Sequence, residues 1–184
     1  MPEDPLIVLV NGLPGAGKTT VAAGLGRCFE RGVVLEGDRL QLDFIVRGGV
    51  DVGDDPVEEG RRQLELRWRN LAALAANFTD AGFTVVVDSL TIPSLLSTFR
   101  EAVFPRPVAY VHLDPAEAVR RERDELRAGR TIGSRYDDIA AEFDPLREVG
   151  VWIDSSDQRP QETIATAHEA LASGRGHLGP TSLT

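Results

Sequence analysis

Short apolar runs recur along the chain, separated by longer stretches in which apolar and polar positions mix. Residues 6–10 read LIVLV and residues 83–87 read FTVVV; 108–113 read VAYVHL, and 33–35 and 151–153 are shorter apolar runs. Continuous runs of this length suit strands buried on both faces, as in a parallel sheet. The stretches between them predict helices over 18–30, 61–80, 93–103, 115–128, 137–147 and 160–173. The clearest is 61–80, where Leu64, Trp68, Leu71, Ala75 and Phe78 follow alternating four- and three-residue spacings and form one apolar face. Gly82 follows it as a stop signal, and Pro93 opens the next helix. Residues 47–60 and 129–135 are rich in Gly and polar residues and predict loops. Strands alternating with helices imply an α/β fold, a parallel sheet covered on both faces. There is no internal repeat, so a single domain is expected over 1–173, with a flexible tail over 174–184.

Composition narrows the functional classes. The chain has 184 residues, 42% of them hydrophobic, enough for one sizeable core. Twenty Lys and Arg face 29 Asp and Glu, a net charge of -9, which argues against a general nucleic-acid binder. Cys28 is the one cysteine, so an intrachain disulfide and a multi-cysteine metal site are excluded. No apolar run approaches the ~20 residues of a membrane span, and the opening MPEDP does not resemble a signal peptide. A soluble cytoplasmic protein is the expectation. Nineteen of the 20 cations are Arg; the single lysine is Lys18.

That lysine falls in Asn11-Gly12-Leu13-Pro14-Gly15-Ala16-Gly17-Lys18-Thr19-Thr20, directly after the first strand and opening the first helix. The stretch matches G-x-x-x-x-G-K-[ST] in its required context. Glycines let the backbone curl until successive N–H groups point into one concavity, and the helix adds its positive end. Lys18 would reach the β- and γ-phosphates, Thr19 would ligate Mg²⁺ and Thr20 would hold the α-phosphate. The dinucleotide pattern G-x-G-x-x-G fails, because Thr20 stands where its last Gly belongs. The expected ligand is ATP with Mg²⁺.

GLPGAGKTT, LEGD at 35–38, VVVDS at 85–89, HLDPAEAVRRER at 112–123 and WIDSSD at 152–157 together resemble the small P-loop kinases. Chloramphenicol phosphotransferase, adenylylsulfate kinase, gluconate kinase and the kinase module of polynucleotide kinases are the likenesses, over about residues 6–172. The resemblance implies a three-layer α/β/α P-loop NTPase fold, a five-stranded sheet in the order 2-3-1-4-5 and a helical lid at about 115–147. It also implies phosphoryl transfer from ATP to a hydroxyl of a small molecule such as an antibiotic, sugar or nucleoside. Transfer to a polynucleotide 5'-hydroxyl, an NTP-hydrolysing switch and a non-catalytic nucleotide-binding module are the alternatives.

Asp38 ends the second strand, where ligands gather in open α/β sheets, and the kinases it resembles place their substrate-activating Asp there. A carboxylate at that point can take the proton of an attacking hydroxyl, or simply cap a helix. Asp88 ends the third strand, the position of an acid that holds Mg²⁺, and also borders the acceptor. On a helix from Val119, Arg120, Arg123, Arg127 and Arg130 share one sector, while Arg121 lies about 200° away. Resemblance makes this helix the start of the lid. Arg120 and Arg123 are then expected on the nucleotide, and Arg123 and Arg127 on the transferring phosphate, with Arg135 a further candidate. Arg39 and Arg69 are candidates for gripping the acceptor. Cys28 is expected as a small core residue of the first helix. The acceptor's identity and the oligomeric state stay open.

Overall fold

The computed structural model describes residues 4–126 and 142–179. Five parallel strands form one sheet: β1 (Ile7–Asn11), β2 (Gly32–Glu36), β3 (Thr84–Asp88), β4 (Val108–Leu113) and β5 (Val151–Ile153). Their order is β2-β3-β1-β4-β5, as the family resemblance implied. The helices are α1 (Lys18–Gly26), α2 (Gly37–Leu42), α3 (Val57–Asp80), α4 (Pro93–Val103), α5 (Glu117–Glu125) and α6 (Pro160–Ala172).

Alternation along β1 explains the three layers. Ile7 and Leu9 point into a core shared with Trp68 and Leu71 of α3 and Leu96 and Phe99 of α4. Val8 and Val10 point the other way, against Val21 and Leu25 of α1 and Ala167 and Leu171 of α6. Side chains of a strand alternate between faces, so an uninterrupted apolar run requires cover on both.

The strands β1 and β3 extend one residue beyond their apolar runs. Val10 stands in register with Asp88, and Asn11 with His112, so ladder hydrogen bonding carries two polar residues into the sheet. Helix α1, by contrast, stops at Gly26 rather than continuing to residue 30. Gly32 packs directly on the Gly26 carbonyl, where a Cβ would sit 1.8 Å away, and the chain must turn between them. Cys28 consequently lies beyond the helix and is exposed, not a core residue. Helix α3 begins four residues earlier than its apolar stripe suggested, after Pro56. Of the helix expected over 137–147, residues 142–146 are a 3₁₀ turn that buries Phe143 and Leu146, and 137–141 lie outside the described residues.

The first residues of the expected tail pair with β4. His177 forms an antiparallel bridge with Ala109, the Tyr110 N–H donates to the Gly176 carbonyl, and the Leu178 N–H donates to Val108. The short β5 pairs only with residues 111–113, leaving the start of β4 as an open edge that this segment covers.

A buried polar chain crosses the sheet's carboxyl end. The Asn11 amide donates to the Thr91 carbonyl and the Tyr110 hydroxyl, and its oxygen accepts from the Thr91 N–H. Tyr110 meets His112 Nδ1 at 3.0 Å, and the His112 ring stacks on Trp152. Burial, followed by the charges of Lys18 and Arg147, pushes the His112 pKa down to about 3. The unfolded chain therefore takes up this proton first as pH falls. Stability from neutral His112 is present above its ordinary pKa and is lost on acidification towards the folded value. Denaturant titrations are expected to show about 2 kcal/mol of such loss between about pH 8 and pH 5, absent in His112→Gln. An unchanged pH dependence in that variant would contradict the assignment.

Candidate functional site

The residues after β1 fold as a loop whose turns demand glycine. Gly12 and Gly15 both have positive φ, 146° and 80°. A Cβ on Gly12 would lie 2.6 Å from the Leu113 carbonyl oxygen, and one on Gly15 would lie 2.1 Å from that of Arg120. The loop is thus wedged between the end of β4 and the start of α5, and only bare backbone fits. Lys18 opens α1 and curls its ammonium back to donate to the carbonyls of Gly12 at 2.8 Å and Leu13 at 3.3 Å. The nest is therefore closed around a single slender cation.

Pro14, Gly15, Ala16, Gly17, Lys18, Thr19 and Thr20 line a cavity of about 520 Å³. Strand order decides what faces them. Because β3 lies beside β1, Thr19 and Asp88 come together on this cavity, close enough for the hydroxyl to act on the carboxylate. Asp88 is 7% exposed. Desolvation raises its pKa, opposed by the charge of Lys18 and the hydroxyl of Thr19, while Asp38 and Glu36 raise it further. A buried carboxylate with a hydroxyl beside it is a hard-oxygen donor set, which suits Mg²⁺ completed by phosphate oxygens and water. No group of three or more His, Cys, Asp or Glu side chains among the described residues could hold a metal by itself.

Asp38 enters the same cavity from the first turn of α2. Its carboxylate accepts from Arg67 Nη1 at 2.9 Å. The Asp38 side chain is two-thirds exposed, whereas the Arg67 side chain is 8% exposed. The arginine acts as a rigid bracket, since a guanidinium held by packing presents its donors in fixed directions.

This bracket replaces the arginines expected from sequence. Arg69 is exposed and stays off the cavity; two residues along a helix is about 200° of rotation, which carries it to the opposite face from Arg67. Arg39 is also exposed and pairs with Asp43 at 2.9 Å, one turn along the same short helix. The signal for Arg67 was present: it lies between Leu64 and Leu71, inside the apolar stripe, where an unpaired cation would be costly. Gln63 is a second residue that sequence reasoning missed. It accepts from Gln41 and from the Val50 N–H and donates to the Gly48 carbonyl, strapping the 47–56 loop onto α3.

The α5 arginines separate as the helical wheel predicts, with one correction. Arg121 turns outward and pairs with Glu117. Arg123 lines the cavity and donates to the carbonyls of Ser155 at 3.0 Å and Ser156 at 3.5 Å. Arg120 is 6% exposed, faces the Pro14 carbonyl at 3.5 Å and does not line the cavity. The tight contact of its backbone with Gly15 turns it behind the loop, where it ties α5 to the loop's outer side. Arg127, Arg130 and Arg135 lie outside the described residues.

A family model for the AAA domain matches residues 7–147. No curated protein matches the chain. Among solved structures, a sugar kinase from Janibacter sp. HTCC2649 aligns at 24% identity over 99% of both chains, with a TM-score of 0.66. A gluconokinase from Sinorhizobium meliloti 1021 aligns at 23% identity over 94% of this chain and 95% of its own, with a TM-score of 0.70. The APS kinase of Mycobacterium tuberculosis, in complex with AMPPNP and APS, aligns at 17% identity over 93% and 99%, with a TM-score of 0.65. At these identities the likeness is one of fold, that of the small P-loop kinases.

Proposed function

The chain belongs to the AAA domain family, and we propose that it is a kinase that transfers the γ-phosphate of ATP to a hydroxyl of a small molecule. The observation that carries this reading is the joint opening of the phosphate loop and the Arg67-bracketed Asp38 on one cavity. A hydrolysing switch needs no fixed carboxylate aimed at a second substrate; a kinase needs one within reach of the γ-phosphate.

ATP lies with its phosphates in the nest formed by residues 12–20, where Thr20 holds the α-phosphate. Its base lies towards Arg123 and the 155–163 segment, which line the other side of the cavity. Lys18 exchanges the Gly12 and Leu13 carbonyls for phosphate oxygens. Mg²⁺, held by Thr19 and Asp88, supplies positive charge to the phosphate oxygens when bound. The acceptor hydroxyl donates to Asp38, which Arg67 keeps in one orientation. As the acceptor oxygen bonds to the γ-phosphorus, the bond to the β-γ bridging oxygen breaks and Asp38 takes the proton. Lys18 and the loop N–H groups neutralise the charge that develops on the transferring group and the leaving ADP.

The reading is tested by following ADP release with MgATP across a panel of hydroxylated compounds. Turnover that depends on the acceptor is expected. Equal turnover with and without every acceptor would remove the kinase reading in favour of a hydrolase.

A further inference from the structure

The acceptor end of the cavity is walled mainly by apolar side chains. Val52 comes from the strapped loop, Leu64 from α3, Leu90 and Ile92 from the β3–α4 connection, and Leu95 from α4. Leu64, Leu90, Ile92 and Leu95 are partly buried and pack their inner sides on the main core, so they cannot swing away to make room for polar partners. Polar groups at this end are few among the described residues: Asp38, Arg67 and Ser89, with Asp88 at its border with the phosphate loop. Arg67 Nη1 is engaged by Asp38, and both Arg67 Nε and Ser89 Oγ are sealed from solvent without a hydrogen-bond partner. A ligand here thus meets one carboxylate, the outer part of one guanidinium and an aliphatic wall.

We propose that the acceptor is a compact alcohol with a largely apolar body, and not a sugar, sugar acid or other polyol; the proposal rests on the kinase reading above. A polyol carries a hydroxyl on nearly every carbon. Each one turned to this wall would leave water and find no partner, a cost larger than any gain from the neighbouring CH groups. An apolar body instead recovers transfer free energy at every methylene. The hydroxyl lies on Asp38, and a single further polar group can meet Arg67. This sets the chain apart from the sugar kinase and the gluconokinase that share its fold, by the names those proteins carry.

The test is a homologous series, butan-1-ol to heptan-1-ol with cyclohexanol, against erythritol, xylitol, glucose and gluconate. Binding is read by saturation-transfer NMR on the full chain with Mg²⁺ and a non-hydrolysable ATP analogue, and turnover by ADP release. Affinity is expected to rise about fourfold per added methylene until the chamber fills. Polyols of equal carbon number are expected to bind at least about tenfold more weakly. Leu64→Asn and Leu95→Gln are expected to flatten the alcohol series while leaving affinity for the nucleotide analogue unchanged. A flat series in the wild-type chain, or preference for a polyol, overturns the proposal and leaves the kinase reading standing. Graded alcohol binding with no acceptor-dependent ADP release upholds the apolar chamber and removes the kinase reading instead.

Discussion

Lys18→Arg is expected to reduce phosphoryl transfer by at least about a hundredfold while leaving the fold intact. The variant conserves charge, so the loss must come from shape. The wild-type ammonium lies inside its own loop, bonded to the Gly12 and Leu13 carbonyls, and the loop is pinned between Leu113 and the Arg120 backbone. A planar guanidinium is wider than an ammonium and presents its donors in a fixed fork, so it enters such a nest poorly. Lys18 is also the only lysine among 20 cations, in a chain that otherwise uses arginine throughout. The measurements are ADP release with an active acceptor, and the thermal unfolding midpoint as a control. Near-normal turnover in a folded Lys18→Arg protein would contradict the role given to this residue.

Asp38→Asn is expected to lower kcat by about 10²–10⁴, the usual worth of a positioned general base, with little change in affinity for a non-hydrolysable ATP analogue. Asparagine is the informative substitution. Its amide oxygen can still accept from Arg67, so the buried guanidinium keeps a partner and the bracket stays assembled, whereas alanine would leave that cation without one. What the amide cannot do is take a proton. Isothermal titration with the analogue and steady-state kinetics separate the two effects. Unchanged kcat would show that Asp38 takes no part in proton transfer and serves only as the partner of Arg67; the capping alternative is already removed, because Glu36 is the N-cap of α2 and Asp38 lies inside its first turn.

The parts of the site that could be read in the sequence are those encoded locally. The phosphate loop is a contiguous stretch in which glycine spacing, strand and helix all belong to neighbouring residues, so its backbone conformation follows from short-range sterics. Strands β1, β3 and β4 were legible because burial on both faces leaves runs that are almost wholly apolar. Asp88 was legible as the first charge after such a run, and Asp38 as the carboxylate two residues beyond Glu36, just past the second run.

What sequence could not rank was the set of arginines. Arg67 and Arg69 differ by two positions, and the choice between them depends on the phase of α3 against α2, an element that starts 20 residues earlier. Arg120 and Arg123 lie in one helical sector, yet the first is held behind the loop by Gly15 and the second reaches the cavity. The sequence alone determined the alternating architecture, the anion nest with its single lysine and the two carboxylates at strand ends, because each follows from contiguous residues and their intrinsic geometry. Tertiary structure decided the partner of Asp38, the closeness of Thr19 to Asp88 and the apolar wall facing them. Each is a contact between elements distant in the chain, and its side chains are selected by helix phase and strand order.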